Sequence, residues 1–591
     1  MHRISAKKDR GDSVTQTHAY RASFHFFIID QAMTKQGIFL ISTILITGAT
    51  GAALWLSSAS KTPALTTVTN VDPQLAAQAE APCPIDRSDW RKQQVIEGVT
   101  IEESPDCSPD NPFAVAAFIQ GTNKVGMHTL MQSGLSTDAV VLDNDRDGDG
   151  DPDDVHIRLE VTELNGMSPD VGFPIPIYFI APGIQPSFWV FSPKLNGMAT
   201  YNYGSYEASS LLRPPSPTIR VEVGDHVMIT LENTHYLPHT IHLHGVDHSY
   251  HLDHPMYDGK RGNDGVSETS HLPVMPGQTF TYELTPRQPG TQLYHCHEQA
   301  PIHVAMGLMG LFVVEENRPN NWLQTLNVGA GRVRHPSVAV RERYAAEYDM
   351  IYQELDKDLH DLIIQSNDPR QIGMLTSRVY DVTQSAPEYF LLNGRSFPYT
   401  LRDSLIVVNP DQKIKIRLAN GGDDQGIAIH THGHKPTITH YDGVLHNPAA
   451  WVQRDVFDLE PAQRYDLELN TVDDGLNSFG PGVWMMHDHR EKAITNHGQF
   501  PGGNITMIVY RSFLDPNGLP LMQGMDLAPY FTPAYFERKV PVWAAIDKAG
   551  TLADPAPESP ALAGPLLLCF AGGLGIGGLM WLPRLGRSSK R

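Results

Sequence analysis

The chain has 591 residues, enough for two or three domains with full cores, and its 41% hydrophobic and 19% charged content is ordinary for a globular protein. A formal net charge of −21 argues against a nucleic-acid partner and mildly favours cationic ones. Four cysteines are too few for a disulfide scaffold.

The first clear element is an apolar run from Ile38 to Leu56, preceded by Arg21 and Lys35 and long enough to span a membrane as a helix. Met33, just before it, would serve as a start that leaves a short basic leader. Residues 58 to about 90 are rich in Ala, Thr, Pro and Gln and read as a linker. Cys83 and Cys107 flank a polar lead segment, where they either pair outside the cytosol or stay as thiols. The lead region, to residue 174, contains an acidic run from Asp143 to Asp154. Carboxylates at Asp143, Asp145 and Asp147 with Gly148 in sixth place match a calcium loop; Asp149 follows, and Asp154 takes the place of the usual bidentate Glu. Gly150 replaces the usual apolar residue and helical flanks are not evident, so a solvated acidic turn is the competing reading.

From about 175 the pattern is β. Ile219, Val221 and Val223 alternate, as do Val227, Ile229 and Leu231, with Gly224-Asp225 as the turn between. Phe280, Tyr282 and Leu284 continue the alternation, and Leu311 to Val314 reads as a short buried strand. Residues 317–385 have a more helical, charged character around Arg341 to Leu362 and read as a connector. Strand, His-x-His, turn, strand, His-x-His then recurs: Ile414, Ile416 and Leu418 precede His430 and His432, and Tyr465, Leu467 and Leu469 precede His487 and His489. Two copies of one β-sandwich explain this, at 175–316 and 386–515. Residues 516–560 are a Pro-rich linker to a second apolar run, Ala561 to Leu582, with Cys569 inside it and Arg584, Arg587, Lys590 and Arg591 beyond. Basic residues outside both runs put both ends in the cytoplasm and the body outside; alternatively the first run is a cleaved signal and the second a removed sorting tail.

The stretch from His239 to Met309 carries the chemistry. It contains His239, His242-x-His244, His295-Cys296-His297 and His303, then Met306, Leu308 and Met309. Five His-x-His pairs occur, where 27 scattered histidines would give roughly one. On a strand, residues i and i+2 share a face, so each pair presents two imidazoles to one site. A thiolate with two imidazoles makes a one-electron copper site, and imidazoles alone suit copper that meets oxygen.

These segments, over about residues 175–515, resemble the multicopper oxidases, a family of cupredoxin-fold enzymes. The resemblance implies an all-β chain of two cupredoxin-like Greek-key sandwiches, here with terminal membrane segments. It implies four coppers per chain. A type 1 copper would be held by His239, Cys296 and His303, with Leu308 at the axial position and Met306 and Met309 beside it. Eight histidines would hold a trinuclear cluster: His242 and His430 for the type 2 copper, and His244, His295, His297, His432, His487 and His489 for the type 3 pair. Asp264, in an Asp-Gly step between the first two pairs, and Glu298, beside His297, are the candidate proton donors; a plain turn is the other reading of Asp264.

In the second repeat Asp488 stands where the Cys would be and Ile427 where the first type 1 His would be, with His497 a surface residue or a remnant. That departure resembles the two-domain branch of the family, whose members assemble as trimers with each cluster between two chains. The implied activity is an exported, membrane-anchored oxidase, periplasmic or at the cell surface, that takes single electrons from a reductant and reduces dioxygen to water. Phenols, Cu(I), Fe(II) and Mn(II) are the reductant classes the resemblance offers. A copper nitrite reductase shares the two-domain plan, but the complete eight-histidine set, including His297 and His432, argues against it. An electron carrier would need only His239, Cys296 and His303.

Overall fold

Alternation decides where strands form. In Thr279–Leu284 exposed and buried side chains alternate at every position, with Phe280, Tyr282 and Leu284 inward. The computed structural model describes residues 94–96, 99–101, 117–197, 199–201, 205–246, 262–333, 344–422 and 424–539. Both apolar runs, the 58–90 linker, and Cys83, Cys107 and Cys569 lie outside them. Among the described residues, no helix is long and apolar enough to cross a membrane.

The described chain is mostly β, and its plan occurs twice. The first sandwich uses β1 (Val140–Asp143), β2 (Asp154–Leu164), β3 (Thr218–Glu222), β4 (His226–Glu232), β5 (His242–Leu243), β6 (Thr279–Leu284), β7 (Gly290–His295) and β8 (Met309–Glu315). One sheet runs β6-β4-β2-β1, with β4 and β2 parallel; the other contains β3-β8-β7-β5, with β3 and β8 parallel. The second sandwich uses β9 (Ala346–Leu355), β10 (Ile406–Val408), β11 (Lys413–Asn420), β12 (Ile427–Thr431), β13 (Arg464–Asn470), β14 (Val483–Asp488) and β15 (Thr506–Tyr510). Its β9-β11-β13 repeats β2-β4-β6, and its β10-β15-β14-β12 repeats β3-β8-β7-β5, with the parallel pairs in the same places.

Three stretches differ from the sequence reading. The lead region supplies β1 and β2, so the first sandwich takes strands from before residue 175. The stretch read as a helical connector supplies β9, which pairs with β11 in the second sandwich. Nine of the ten residues of β9 are buried, Tyr348, Met350 and Tyr352 in the core of the second sandwich and Glu347 and Asp349 on its other face, so its polar residues do not mark a solvent-facing side. Only after it does a helix follow, α1 (Lys357–Ile364), capped by Asp356, whose side chain accepts from the Asp358 N–H. Leu359 and Ile363 of α1 pack into the core of the first sandwich. The Pro-rich stretch after 515 also packs: Leu519, Tyr530, Phe531 and Tyr535 are buried with Val407 and Val509 of the second sandwich.

The two sandwiches are joined by apolar and ionic contacts. Leu293, Met309, Leu311 and Val313 of the first meet Ala330, Ile351 and Ala419 in one buried cluster. Around it, Arg220 of β3 pairs with Asp349 of β9 at 2.6 Å, and Arg417 of β11 reaches Glu315 of β8 at 3.0 Å and Asp466 of β13 at 3.0 Å. Both arginines are buried. A buried pair of this kind fixes orientation more than it adds stability, because desolvation offsets much of the attraction.

Candidate metal centres

His239, Cys296 and His303 come from three places in the chain and meet in the first sandwich. Cys296 follows β7, His239 lies three residues before β5, and His303 ends a one-turn helix, α2 (Ala300–His303). The Cys296 Sγ stands 3.6 Å from His239 Nδ1 and 3.3 Å from His303 Nδ1, and the three ligand atoms all lie within 4.8 Å of one another. All three residues are essentially inaccessible. Burial pushes the thiol up to about 12 and His303 down to about 3, and holds His239 well below its usual value. The imidazoles are therefore neutral with free lone pairs, and the thiol ionises only against a cation. That donor set, soft sulfur with two nitrogens in a dry pocket, fits a type 1 copper.

Three neighbours escaped the sequence reading. His235 Nδ1 lies 2.8 Å from His239 Nε2, fixing the ring that offers Nδ1 inward. Glu163 of β2 lies behind it, 3.6 Å from His235 Nε2, and accepts from Trp189 Nε1 at 2.7 Å and from the Tyr236 hydroxyl. Trp189 in turn covers His303, with ring centroids 5.2 Å apart. The only signal available was a histidine four residues before His239, which matches no pair pattern. For the axial position, Met306 and Leu308 share the core that contains Cys296. Met309 does not: it lies on the opposite face of β8, its sulfur and methyl against Gly421 and Ile351 in the joint between sandwiches. Strand alternation removes Met309 from the ligand set.

The eight remaining histidines form two sets of matching geometry. In the first sandwich, β5 and β7 pair with His242 opposite His295, so the two His-x-His pairs end side by side. His244 Nε2 and His295 Nε2 are 2.9 Å apart; His242 Nδ1 lies 2.6 Å from the Asp264 carbonyl oxygen, and His295 Nδ1 lies 2.9 Å from that of Cys296. His297 Nδ1 is buried without a partner, an atom that a metal would satisfy. In the second sandwich, β12 and β14 pair with His430 opposite His487. His432 Nε2 and His487 Nε2 are 3.4 Å apart; His430 Nδ1 lies 2.9 Å from the Asp455 carbonyl oxygen, and His487 Nδ1 lies 3.0 Å from that of Asp488. In both sets carbonyl oxygens anchor the Nδ1 of two imidazoles and so orient their Nε2, the arrangement common in metal-binding histidines. Among the described residues, every ring contact recorded between these histidines lies within one set.

Asp264 and Glu298 both border the first set. The Asp264 carboxylate stands 3.2 Å from His242 Nδ1. Gly265 makes this approach possible: its φ is +76°, and a Cβ there would lie 1.9 Å from the Ile241 carbonyl oxygen. Glu298 is held by the hydroxyl of Ser267, on the same loop as Asp264. Asp488, in the place of Cys296, is fully buried and paired with Arg490 at 2.7 Å, while Ile427 is core. His497 is exposed and stacks on Tyr389, so no second type 1 group assembles there.

The acidic run forms the turn between β1 and β2. Asp145, Asp147 and Asp149 cluster there, whereas Asp143 and Asp154 are ladder partners at the strand ends. Asp154 is taken by Arg146 and by His226 at 3.2 Å. The predicted ligand register is therefore displaced by two residues toward the C-terminus.

Comparison with known proteins agrees with this geometry. Two family models, both described as multicopper oxidase, match residues 213–319 and 364–510. The iron transport multicopper oxidase FET3 of Gibberella zeae is 24% identical over 383 residues, covering 58% of this chain and 53% of that protein. The multicopper oxidase MmcO of Mycobacterium tuberculosis is 25% identical over 276 residues, covering 44% of this chain and 46% of that one. The chain thus spans about half the length of the curated relatives it matches. Among solved structures, the blue copper oxidase of Nitrosomonas europaea is 25% identical with a TM-score of 0.43, covering 61% of this chain and 86% of that chain. With both repeats matched by the same family and their histidines assembled as described, the chain belongs to the multicopper oxidase family.

Proposed function

We propose that this protein is an exported copper oxidase that removes single electrons from a small reductant at His239, Cys296 and His303 and reduces dioxygen to water at its eight remaining histidines. The observation that carries this reading is the join between the two sites: Cys296 is bonded directly to His295 and His297, so one tripeptide belongs to both. Copper held there supplies one-electron acceptance at the thiolate site and oxygen reduction at the histidine sites. Burial holds His239, His244, His295 and His303 neutral, carbonyl oxygens orient His242, His295, His430 and His487, and the Asp264 carboxylate stands beside His242 where it can hold a proton. Glu298, tied to Ser267, offers a second proton-holding carboxylate next to His297. Phenols and the metal ions Cu(I), Fe(II) and Mn(II) are the candidate reductants, with a membrane-anchored location at the periplasmic or cell-surface side.

We further read the cluster as shared between copies, in a homotrimer. His432 and His489 are exposed in the single chain, and contacts among the eight histidines stay within each sandwich. A neighbouring copy that brought one sandwich against the other would complete four coppers per chain and cover these imidazoles.

Complementation tests both parts. Copper-loaded His244→Ala and His487→Ala chains, each produced alone, should show no oxygen uptake. Co-produced, they should recover about a quarter of the wild-type rate, because random mixing pairs one intact half of each kind at that fraction of sites. No recovery beside an active wild type would refute the shared cluster. A wild type that binds copper yet consumes no oxygen, or that turns over nitrite instead, would refute the oxidase.

A further inference from the structure

The copper chemistry leaves one cluster of charge unused. On the β1–β2 loop, Asp145, Asp147 and Asp149 each bring a carboxylate oxygen within 4.8 Å of the others. Behind them Asp151, Asp153, Glu222 and Asp225 are buried, the last two at the end of β3 and in the turn to β4. No ion pair with any of these seven carboxylates occurs among the described residues; Arg146 and His226 are committed to Asp154. Asp145 and Asp147 are exposed and Asp149 half-buried, but the four carboxylates behind them are held close together away from water and repel strongly unless something neutralises them.

Other elements bring two further oxygens to the same place. Asn321, which follows β8, donates its backbone N–H to Asp151 at 2.7 Å and its side-chain amide to Glu222. That fixes the amide, yet its Oδ1 is buried with no donor. Asp225 is 3% exposed, and its Oδ1 likewise has no donor, while the carboxylates that act on it are Asp153, Asp151 and Asp147. Both oxygens belong to residues more than nine-tenths buried, Asn321 bonded to Asp151 of the loop and Asp225 close enough to feel Asp147. The donors are all hard oxygens, without sulfur or imidazole, which suits calcium and discriminates against copper.

We propose that this pocket binds one calcium ion, with Asp145, Asp147 and Asp149 as loop ligands and the Asp225 and Asn321 oxygens closing it from the interior. The ion pins the β1–β2 loop to the β3–β4 turn and to the segment after β8. Burial and neighbouring carboxylates push Asp225 and Glu222 up to about 8 in the ion's absence, so both gain from a divalent neighbour.

Trp322 supplies a direct probe, since its indole N–H donates to the Gly150 carbonyl at 3.1 Å. In the full-length, copper-loaded chain, terbium should luminesce under tryptophan excitation and be displaced by calcium but not by equal magnesium. Calcium should also raise the thermal midpoint, as any ligand of the folded state does. Asp147→Asn with Asp149→Asn should weaken calcium at least about tenfold and remove the midpoint rise, with copper content unchanged. Trp322→Phe should lose most of the terbium signal and keep the midpoint rise, which separates a lost site from a lost antenna. A wild-type midpoint indifferent to calcium, an equal rise in the double variant, or equal responses to calcium and magnesium would overturn the proposal.

Discussion

The two histidine sets share one strand register and differ in what lies between and around them. In the first, Cys296 separates His295 and His297, and burial holds His244 down to about 3 and His295 to about 4. In the second, Asp488 separates His487 and His489, and His432 and His489 are exposed. The same backbone thus presents one set that is half-buried throughout and joined to the Cys296 cluster, and one whose His432 and His489 are exposed and whose middle residue ends at a salt bridge. An identical ligand pattern does not make an identical site; the residue between the ligands and the depth of burial decide its role.

The sharpest way to break that comparison is to change the middle residue of each set. Cys296→Ser should abolish blue absorption and bring oxidation of any reductant to background while the fold survives, as thermal unfolding and absorption spectra will report. Persistence of a blue band would remove Cys296 from the type 1 site. Asp488→Ala should do the reverse, leaving the blue band and costing about 3 kcal/mol, because Arg490 loses the buried carboxylate it pairs with. Denaturant unfolding measures that cost; an unchanged midpoint would mean that Glu354, 3.2 Å from Arg490, suffices.

Asp264→Asn sharpens the comparison from the side of the first set, since Asp264 is the carboxylate at His242. Oxygen uptake should fall about 10–100-fold while anaerobic reduction of the blue site keeps its rate. Equal loss in both steps would assign Asp264 a structural role instead.

The smallest effect concerns the joint between the sandwiches. Burial, opposed by Asp466, holds His440 at about 4, and despite its own burial Glu347 is held at about 2 by Arg417. Both shifts lie below the unfolded values. The His440 contribution is therefore full above about pH 6.5 and lost as pH falls toward 4; that of Glu347 is full above about pH 4.5 and lost toward 2. Calorimetry on acidification should show a falling midpoint and then two separating transitions. A midpoint that rises with acid would reverse the sign and refute the assignment.

The histidine groups were legible because their signal is local. A two-residue strand period fixes which neighbours share a face, so His-x-His spacing marked the pairs that the strands bring together, His432 and His434 among them, while the family resemblance singled out eight of these histidines and added His239 and His303. β2 was legible too, since Val155, Ile157, Leu159 and Val161 alternate, but it was hidden by the acidic run beside it. What the sequence could not show depends on partners distant in the chain. β9 is covered on both faces, so its polar residues Glu347 and Asp349 are buried against Arg417 and Arg220, Met309 leaves the Cys296 core because β8 turns it toward Ile351, and the acidic loop gathers Asp145, Asp147 and Asp149 while Asp143 and Asp154 stay in the ladder. Periodicity encodes which face a residue takes; only the packing of one element against another decides what waits there.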